Sequence, residues 1–433
     1  MRSIYNFPAS QMDVSEHGFE GRVDRIENGW VLGWAWHTEM PNAPIEIDVY
    51  LDGDKVATAK AALYRPDLER AGKGDGRHGF EVALPQRFRD GSPHEVSTCF
   101  AGNRQRLRSS PQTVRFDAAA VGQQPPEIVA PPGGATYHSR FGGLWTDRSD
   151  ARAQIERKRA AAEISAKEAG LLQRWIEDGF VILPQAVPHP LIDRLEADVD
   201  AIWEGRSSAR CFVEYFEDGQ LVIYPAGPAF KDKRHKLLDL HVHLDSARQV
   251  VFAAPIVRFL NLTFERPALA FQGLYFRWGS QQAIHQDSAF VKVSAPLEFA
   301  ASWIALEDIQ PGSGELEYFV GSHRLEDYRF DGRYKWMPLK SPEYQRFIDS
   351  LRERSAARGL ERQRFLPKKG DALLWSADLA HGGSSEVRPG LTRKSIVTHY
   401  CPLDRDPVYG AGPRTSTRVR FSDLASYTSA QRD

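Results

Sequence analysis

Residues 284–288 read Ile284-His285-Gln286-Asp287-Ser288, and the fold is decided on how that stretch is read. Along an extended chain side chains alternate faces, so His285 and Asp287 point to one side and Gln286 to the other. His381 and then Arg393 follow far downstream. Two imidazoles and one carboxylate on a common face make the facial triad that holds non-haem iron(II) and leaves coordination positions open. Open positions on iron point to oxygen chemistry.

The surroundings of the triplet read as strands. Residues 274–278 are aromatic-rich and end in a Gly279-Ser280 turn, after which 284–287 open the next strand. Residues 300–306 form a short apolar run, and 315–320 alternate after the tight turn at 311–314. Gly370-Asp371 opens a strand at 372–375 that leads to His381, and Arg393 begins a β-branched strand reaching Tyr400. Short strands with turn signals and no strong helix between them predict an all-β barrel or jelly roll. A second His-x-Asp match, His243-Leu244-Asp245 preceded by His241, precedes an apolar helical stretch. There Asp245 reads as a helix N-cap and the histidines as partly buried, not as metal ligands.

Several stretches recur in family order: His285-Gln286-Asp287, Ala301–Asp308, Gly312–Leu316, Gly321-Ser322-His323, Gly370–Leu374, His381-Gly382 and Arg393–Ile396. With Gly179–Leu183 after an amphipathic helix, they make residues 165–405 resemble the phytanoyl-CoA dioxygenase family of iron(II)- and 2-oxoglutarate-dependent oxygenases. The resemblance implies a double-stranded β-helix with flanking helices. It implies His285, Asp287 and His381 as iron ligands, and Arg393 as the guanidinium that pairs with the distal carboxylate of 2-oxoglutarate. Trp303 and Ser384 fall at or near positions lining the cosubstrate pocket, with Gly383 competing for the slot of Ser384. Arg388, before Pro389-Gly390, reads as a turn residue. Phe290 and His323 are candidate substrate contacts at the cavity mouth.

The implied reaction consumes dioxygen and 2-oxoglutarate, releases succinate and carbon dioxide, and hydroxylates a small-molecule or glycan-related substrate. Asp287 argues against halogenation, because related halogenases replace the carboxylate with a small residue. The alternative is a non-catalytic glycan-binding scaffold with a relic barrel.

Lys and Arg number 56 against 57 Asp and Glu, a formal charge of −1 with a pI near 6.9. No global field therefore favours nucleic acid or an anionic membrane. The sequence holds no apolar run of about 18 residues, no signal-like start and only three scattered cysteines. The expectation is a soluble cytoplasmic protein with no disulfide framework and no transmembrane segment.

Four segments are expected: a β-sandwich at 17–116, a Pro/Gly-rich linker with a charged helix at 117–160, the jelly-roll oxygenase domain at 161–410, and a tail at 411–433. The first resembles small modules that accompany bacterial glycan-biosynthesis proteins, on Gly33-Trp34-Ala35, Asp52-Gly53, Arg65–Leu68 and Gly79-Phe80. Its period-2 tryptophans Trp30, Trp34 and Trp36 admit two readings, filling the sandwich core or stacking on sugar rings. Gly72–Gly76 lacks the Gly-Lys-Ser/Thr ending of a phosphate-binding loop. The Ala, Arg and Lys-rich stretch 151–162 reads as a solvated helix.

Overall fold

The structure, a computed structural model, describes residues 18–27, 30–85, 92–115, 134–217, 220–337, 341–409, 412–413 and 417–428. Of the expected linker segment, residues 117–133 lie outside the described residues. The chain divides into two compact units, residues 1–124 and 125–433.

The first unit has eight strands: β1 (Phe19–Glu27), β2 (Trp30–His37), β3 (Ile45–Leu51), β4 (Asp54–Ala61), β5 (Leu63–Tyr64), β6 (Arg77–Ala83), β7 (Pro93–Phe100) and β8 (Gln112–Arg115). They form two four-stranded sheets, β1-β2-β6-β5 and β4-β3-β7-β8. The Asp52-Gly53 hairpin is present, with both residues at positive φ (52° and 88°), as a two-residue turn between twisted strands requires.

The core is made by Val31, Ala35, Ile47, Val49, Val82 and their neighbours. Alternation then puts Trp30, Trp34 and Trp36 on the outer side of β2, so the core-filling reading does not hold. The reason is local. Arg65, paired with Asp24 and Asp67, and Lys73, 2.6 Å from Glu20, lie over that outer face. The Lys73 ammonium sits 4.2 Å from the ring centroid of Trp36, whose indole donates to the Pro41 carbonyl. A polar loop thus covers Trp36, on the face away from the sandwich core.

In the second unit the charged stretch forms a helix at Ala151–Ala160. The amphipathic helix Ala166–Asp178 starts at a reciprocal capping box, Ser165 with Glu168, and ends at Gly179 in the left-handed region. The described strands that follow are β9 (Phe180–Leu183), β10 (Phe212–Glu217), β11 (Gln220–Pro225), β12 (His235–Leu238), β13 (Ala268–Phe276), β14 (Lys292–Val293), β15 (Ala300–Ala305), β16 (Leu316–Phe319), β17 (Arg362–Phe365), β18 (Ala372–Ser376), β19 (His381–Gly383) and β20 (Ser395–Pro402), with short strands at Pro407–Tyr409, Gly412–Pro413, Val419–Arg420 and Ala425–Tyr427. Helices at His189–Trp203, Leu240–His243, Asp245–Val251 and Ala254–Phe264 flank them, and a further helix, Tyr344–Ala357, stands between β16 and β17, where the sequence showed no strong helix. The large sheet runs β11-β10-β12-β13-β20-β15-β18-β9, and the small one β17-β16-β19.

The central strands of the large sheet are buried on both faces. Ala300, Ile304, Ala372, Leu374, Ile396 and Tyr400 pack under the helices, while Ala301, Trp303, Leu373, Trp375 and Val397 face the barrel interior with Leu316 and Tyr318 of the small sheet. This is the double-stranded β-helix. The expected tail is partly built into it, because residues Ala425–Tyr427 pair in parallel with Ala268–Ala270. Among the described residues no helix is long and apolar enough to cross a membrane.

Candidate active site

The strand expected at 284–287 is a single bridge. His285 and His381 exchange backbone hydrogen bonds, and residues Asp287–Ala289 then turn into a 3-10 helix. Only Gln286 between them is extended (φ −108°, ψ 133°). One extended residue suffices to put His285 and Asp287 on the same side, so the period-2 argument gives the right geometry from the wrong element.

Nδ1 of His285 lies 2.8 Å from the Ala283 carbonyl, and Nδ1 of His381 lies 2.9 Å from that of Leu379. A carbonyl only accepts, so both Nδ1 atoms carry the proton and both Nε2 atoms present a lone pair. Those lone pairs sit 3.5 and 3.6 Å from Oδ1 of Asp287. The other carboxylate oxygen, Oδ2, accepts from Trp375 Nε1 at 2.8 Å and contacts His399 Nε2 at 3.2 Å. Three electron-pair donors thus converge within 4.8 Å, an arrangement that a cation satisfies, and the Gln282 amide nitrogen lies 3.2 Å from one of them, His285 Nε2. The donor set, two imidazole nitrogens and one carboxylate oxygen, fits iron(II).

The electrostatics agree. Burial pushes the Asp287 carboxyl up, but the surrounding imidazoles of His381, His399 and His285 outweigh it, holding it well below the usual carboxylate range. Burial draws His381 down to about 4, against the pull of Asp287. At neutral pH the site therefore offers an anionic oxygen and an unprotonated His381.

Arg393 precedes β20 and is anchored by its backbone N–H, which donates to the Arg277 carbonyl at 2.9 Å. Its side chain is 2% exposed. The guanidinium carbon lies 5.4 Å from the ring centroids of both Phe276 and Trp303. No carboxylate of the described residues comes within ion-pair distance, and Nε has no hydrogen-bond partner. Burial lowers its pKa to about 10, offset in part by Glu315. That Glu315 carboxylate is instead occupied by the Gly312 backbone N–H and by Arg364. Trp303 Nε1 is likewise buried with no partner. An unpaired buried guanidinium costs several kcal/mol unless an anion meets it. The pair therefore fits a carboxylate ligand.

The remaining expected residues divide. Ser384 is buried, its backbone N–H donating to the Glu315 carbonyl at 2.9 Å and its hydroxyl near that residue's carboxylate. Arg388 is in an exposed turn. Phe290 is 40% exposed and meets His285 edge-on with ring centroids 5.4 Å apart. His323 is elsewhere. It is buried, its Nε2 contacts the Ile176 carbonyl at 3.1 Å, and its ring fills the space over Gly179. It secures the end of the helix Ala166–Asp178 instead of facing a cavity mouth.

His241 is also structural, buried with Nε2 3.3 Å from the Thr428 carbonyl. Asp245 is the first helical residue, with Leu244 as N-cap, and its carboxylate accepts from Gln249. Sequence reading missed His399 and Trp375 as supports of Asp287. The signal was available for His399, which stands an even number of residues after Arg393 and so shares its face.

With this geometry in place, comparison with known proteins is direct. The family model for phytanoyl-CoA dioxygenase (PhyH) matches residues 175–394, half of the chain. The chain belongs to that family. Its cofactor set is the family's, iron and 2-oxoglutarate, and the triad able to hold the metal is present. None of the curated proteins matches the sequence.

Among solved structures the chain is similar to the epimerase SnoN of nogalamycin biosynthesis, at 16% identity over 57% of this chain and 87% of that one, with a TM-score of 0.43. It is similar too to the carbocyclase SnoK of the same pathway (15%, 59% and 96%, TM-score 0.41) and to EctD from S. alaskensis with bound Fe (17%, 57% and 80%, TM-score 0.42). No reaction or substrate is carried over from them.

Proposed function

We propose that the chain is an iron(II)/2-oxoglutarate-dependent dioxygenase that hydroxylates a small-molecule or glycan-related substrate. The observation that carries this reading is the buried, unpaired guanidinium of Arg393, which shares a barrel interior with three convergent metal-donor atoms. In this reading Nε2 of His285, Nε2 of His381 and Oδ1 of Asp287 hold the metal. Trp375 and His399 fix the carboxylate so that one oxygen stays directed at the centre.

Arg393 takes the distal carboxylate of 2-oxoglutarate, a bidentate task for which a lysine is the wrong shape. Phe276 and Trp303 line that end, exclude water and strengthen the charge pair. Phe290 borders the opening beside His285. When bound with 2-oxoglutarate and dioxygen, the iron supplies the oxidising power for C–H bond cleavage, with succinate and carbon dioxide as the co-products.

The test is succinate release from 2-oxoglutarate by the purified full chain, with His285→Ala and Asp287→Ala alongside. Loss of iron-dependent turnover in both variants is expected. Undiminished succinate from either one would overturn the reading, as would a wild-type protein that binds neither iron(II) nor 2-oxoglutarate. In that last case a glycan-binding scaffold becomes the better account.

A further inference from the structure

Among the described residues near the triad, Arg393 is not the sole cation that the fold leaves without an anion. Lys292 opens β14, a few residues past Asp287. Its ammonium lies 5.1 Å from the ring centroid of Trp336, and no carboxylate of the described residues is within ion-pair distance. The segment carrying Trp336 is tied to the metal-bearing turn, because the Met337 N–H donates to the Ala289 carbonyl at 2.8 Å. Phe290, between that turn and Lys292, packs edge-on against His285 on one side and Tyr344 on the other. From the triad outward the chain therefore presents first an aromatic border and then an ammonium resting on an indole.

The neighbouring lysine shows that the missing partner is specific to this position. Lys335, adjacent to Trp336, is 3% exposed at its side chain and is paired twice, with Asp327 at 2.9 Å and Asp378 at 2.7 Å. One segment thus saturates a buried lysine with carboxylates, while the lysine facing its indole receives none. A cation over an aromatic face recovers about 0.5–2 kcal/mol, less than a close anion returns to a partly desolvated ammonium. Burial without a compensating charge draws the Lys292 ammonium down to about 8.

We infer that Lys292 is a specificity-determining contact for an anionic group, phosphate or carboxylate, carried by the substrate, with the adjoining ring or chain laid against Trp336 and Phe290. The inference rests on the proposed function only in putting the reacting carbon at the triad. It narrows the substrate class to acids and phosphorylated molecules, and it assigns the aromatic border a flat or apolar portion of them.

Glucose, glucose 1-phosphate and glucuronate present one ring with no charge, a phosphate and a carboxylate. Each is titrated into the full chain while tryptophan fluorescence is followed, and Trp336→Phe identifies the responding indole. The charged sugars should change the signal in wild type. Lys292→Gln should weaken them about tenfold, equivalent to about 1.4 kcal/mol, and Lys292→Arg should largely restore them, with glucose unaffected throughout. The stronger of the two anions tells phosphate from carboxylate.

Equal response in wild type and Lys292→Gln, equal weakening of glucose, or no response to either anion would overturn the inference. Iron(II) and 2-oxoglutarate binding are measured on the same samples. If both are retained while the anions are indifferent to Lys292, this inference falls and the proposed function stands. If wild type binds neither iron(II) nor 2-oxoglutarate, the proposed function falls.

Discussion

His285 and His381 exchange both main-chain hydrogen bonds, at 2.8 and 2.9 Å, across an isolated bridge, and their rings stand 4.5 Å apart. The separation of the two imidazoles is therefore set by backbone pairing and not by side-chain rotamers. Gly382 permits the approach, since a Cβ there would meet the Gln282 carbonyl oxygen at 2.7 Å. Gly382→Ala should push the two segments apart and weaken iron(II) binding at least about tenfold, because a backbone clash cannot relax by rotamer change. Iron(II) titration of the variant, with circular dichroism to verify folding, checks this; unchanged affinity would refute it.

His399 is expected to act through Asp287. His399→Phe removes one of the two partners of Oδ2 and leaves Trp375 Nε1 alone. Loss of such an outer partner typically costs about 10–100-fold in metal affinity or activity. Equilibrium dialysis against iron(II) should register it, while the requirement for 2-oxoglutarate moves little.

Arg393 separates function from stability. Arg393→Met removes an unpaired buried charge and keeps an apolar stem between Phe276 and Trp303. Since replacing buried charge by packed apolar volume is often neutral or stabilising by about 1–4 kcal/mol, the ligand-free variant should melt no lower than wild type. Its half-saturating 2-oxoglutarate concentration should rise strongly with iron(II) affinity nearly intact. Calorimetry and a 2-oxoglutarate titration together decide the point.

Lys335 behaves in the opposite sense. Its ammonium is shared by Asp327 and Asp378, and Asp378 also accepts from the Ser288 hydroxyl, beside Asp287. Lys335→Met strands two carboxylates, and breaking a buried pair costs about 3–5 kcal/mol. The melting temperature should drop by several degrees, and iron(II) binding should weaken because the network ties the turn at Asp287 to the approach to His381. Thermal unfolding with and without iron(II) would show both effects.

His323 predicts an acid sensitivity. Burial holds its imidazole down to about 3, whereas an unfolded histidine protonates near the ordinary value of about 6.5. Between those values only the unfolded chain takes up the proton, so stability is lost as pH falls through that window, by up to about 1.4 kcal/mol per pH unit. His323→Gln can donate to the Ile176 carbonyl without titrating, and should flatten the decline. Unfolding midpoints from pH 7 to pH 4 measure the difference in slope.

Much of the site was legible in the chain because its chemistry is local. The triplet at 285–287 needs only one extended residue to align a histidine with a carboxylate, and the strands carrying Trp303 and Trp375, like the one that follows Arg393, announce themselves as apolar runs bounded by turns. His323 was misread because a histidine in a Gly-Ser-His turn has no sequence mark for the direction it faces. It turns toward the helix end at Ile176, whose carbonyl it shares with Arg324 Nε. For the tryptophans of β2 the sequence left two readings open, for a related reason. Period 2 assigns them a shared face, but which face is inward depends on the polar loop around Arg65 and Lys73 folding over them.

The amino-acid sequence alone determined the family, the mainly β architecture of the oxygenase domain and the residue types able to hold a metal and a dicarboxylate, since alternation, turn residues and ligand chemistry are properties of short stretches. Tertiary structure decided what depends on distant partners. It brought Trp375 and His399 onto Asp287, left Arg393 buried without a carboxylate, paired Lys335 twice and left Lys292 unpaired on an indole. Charge compensation is a matter of a few ångströms between residues far apart in the chain, and only the folded packing sets those distances.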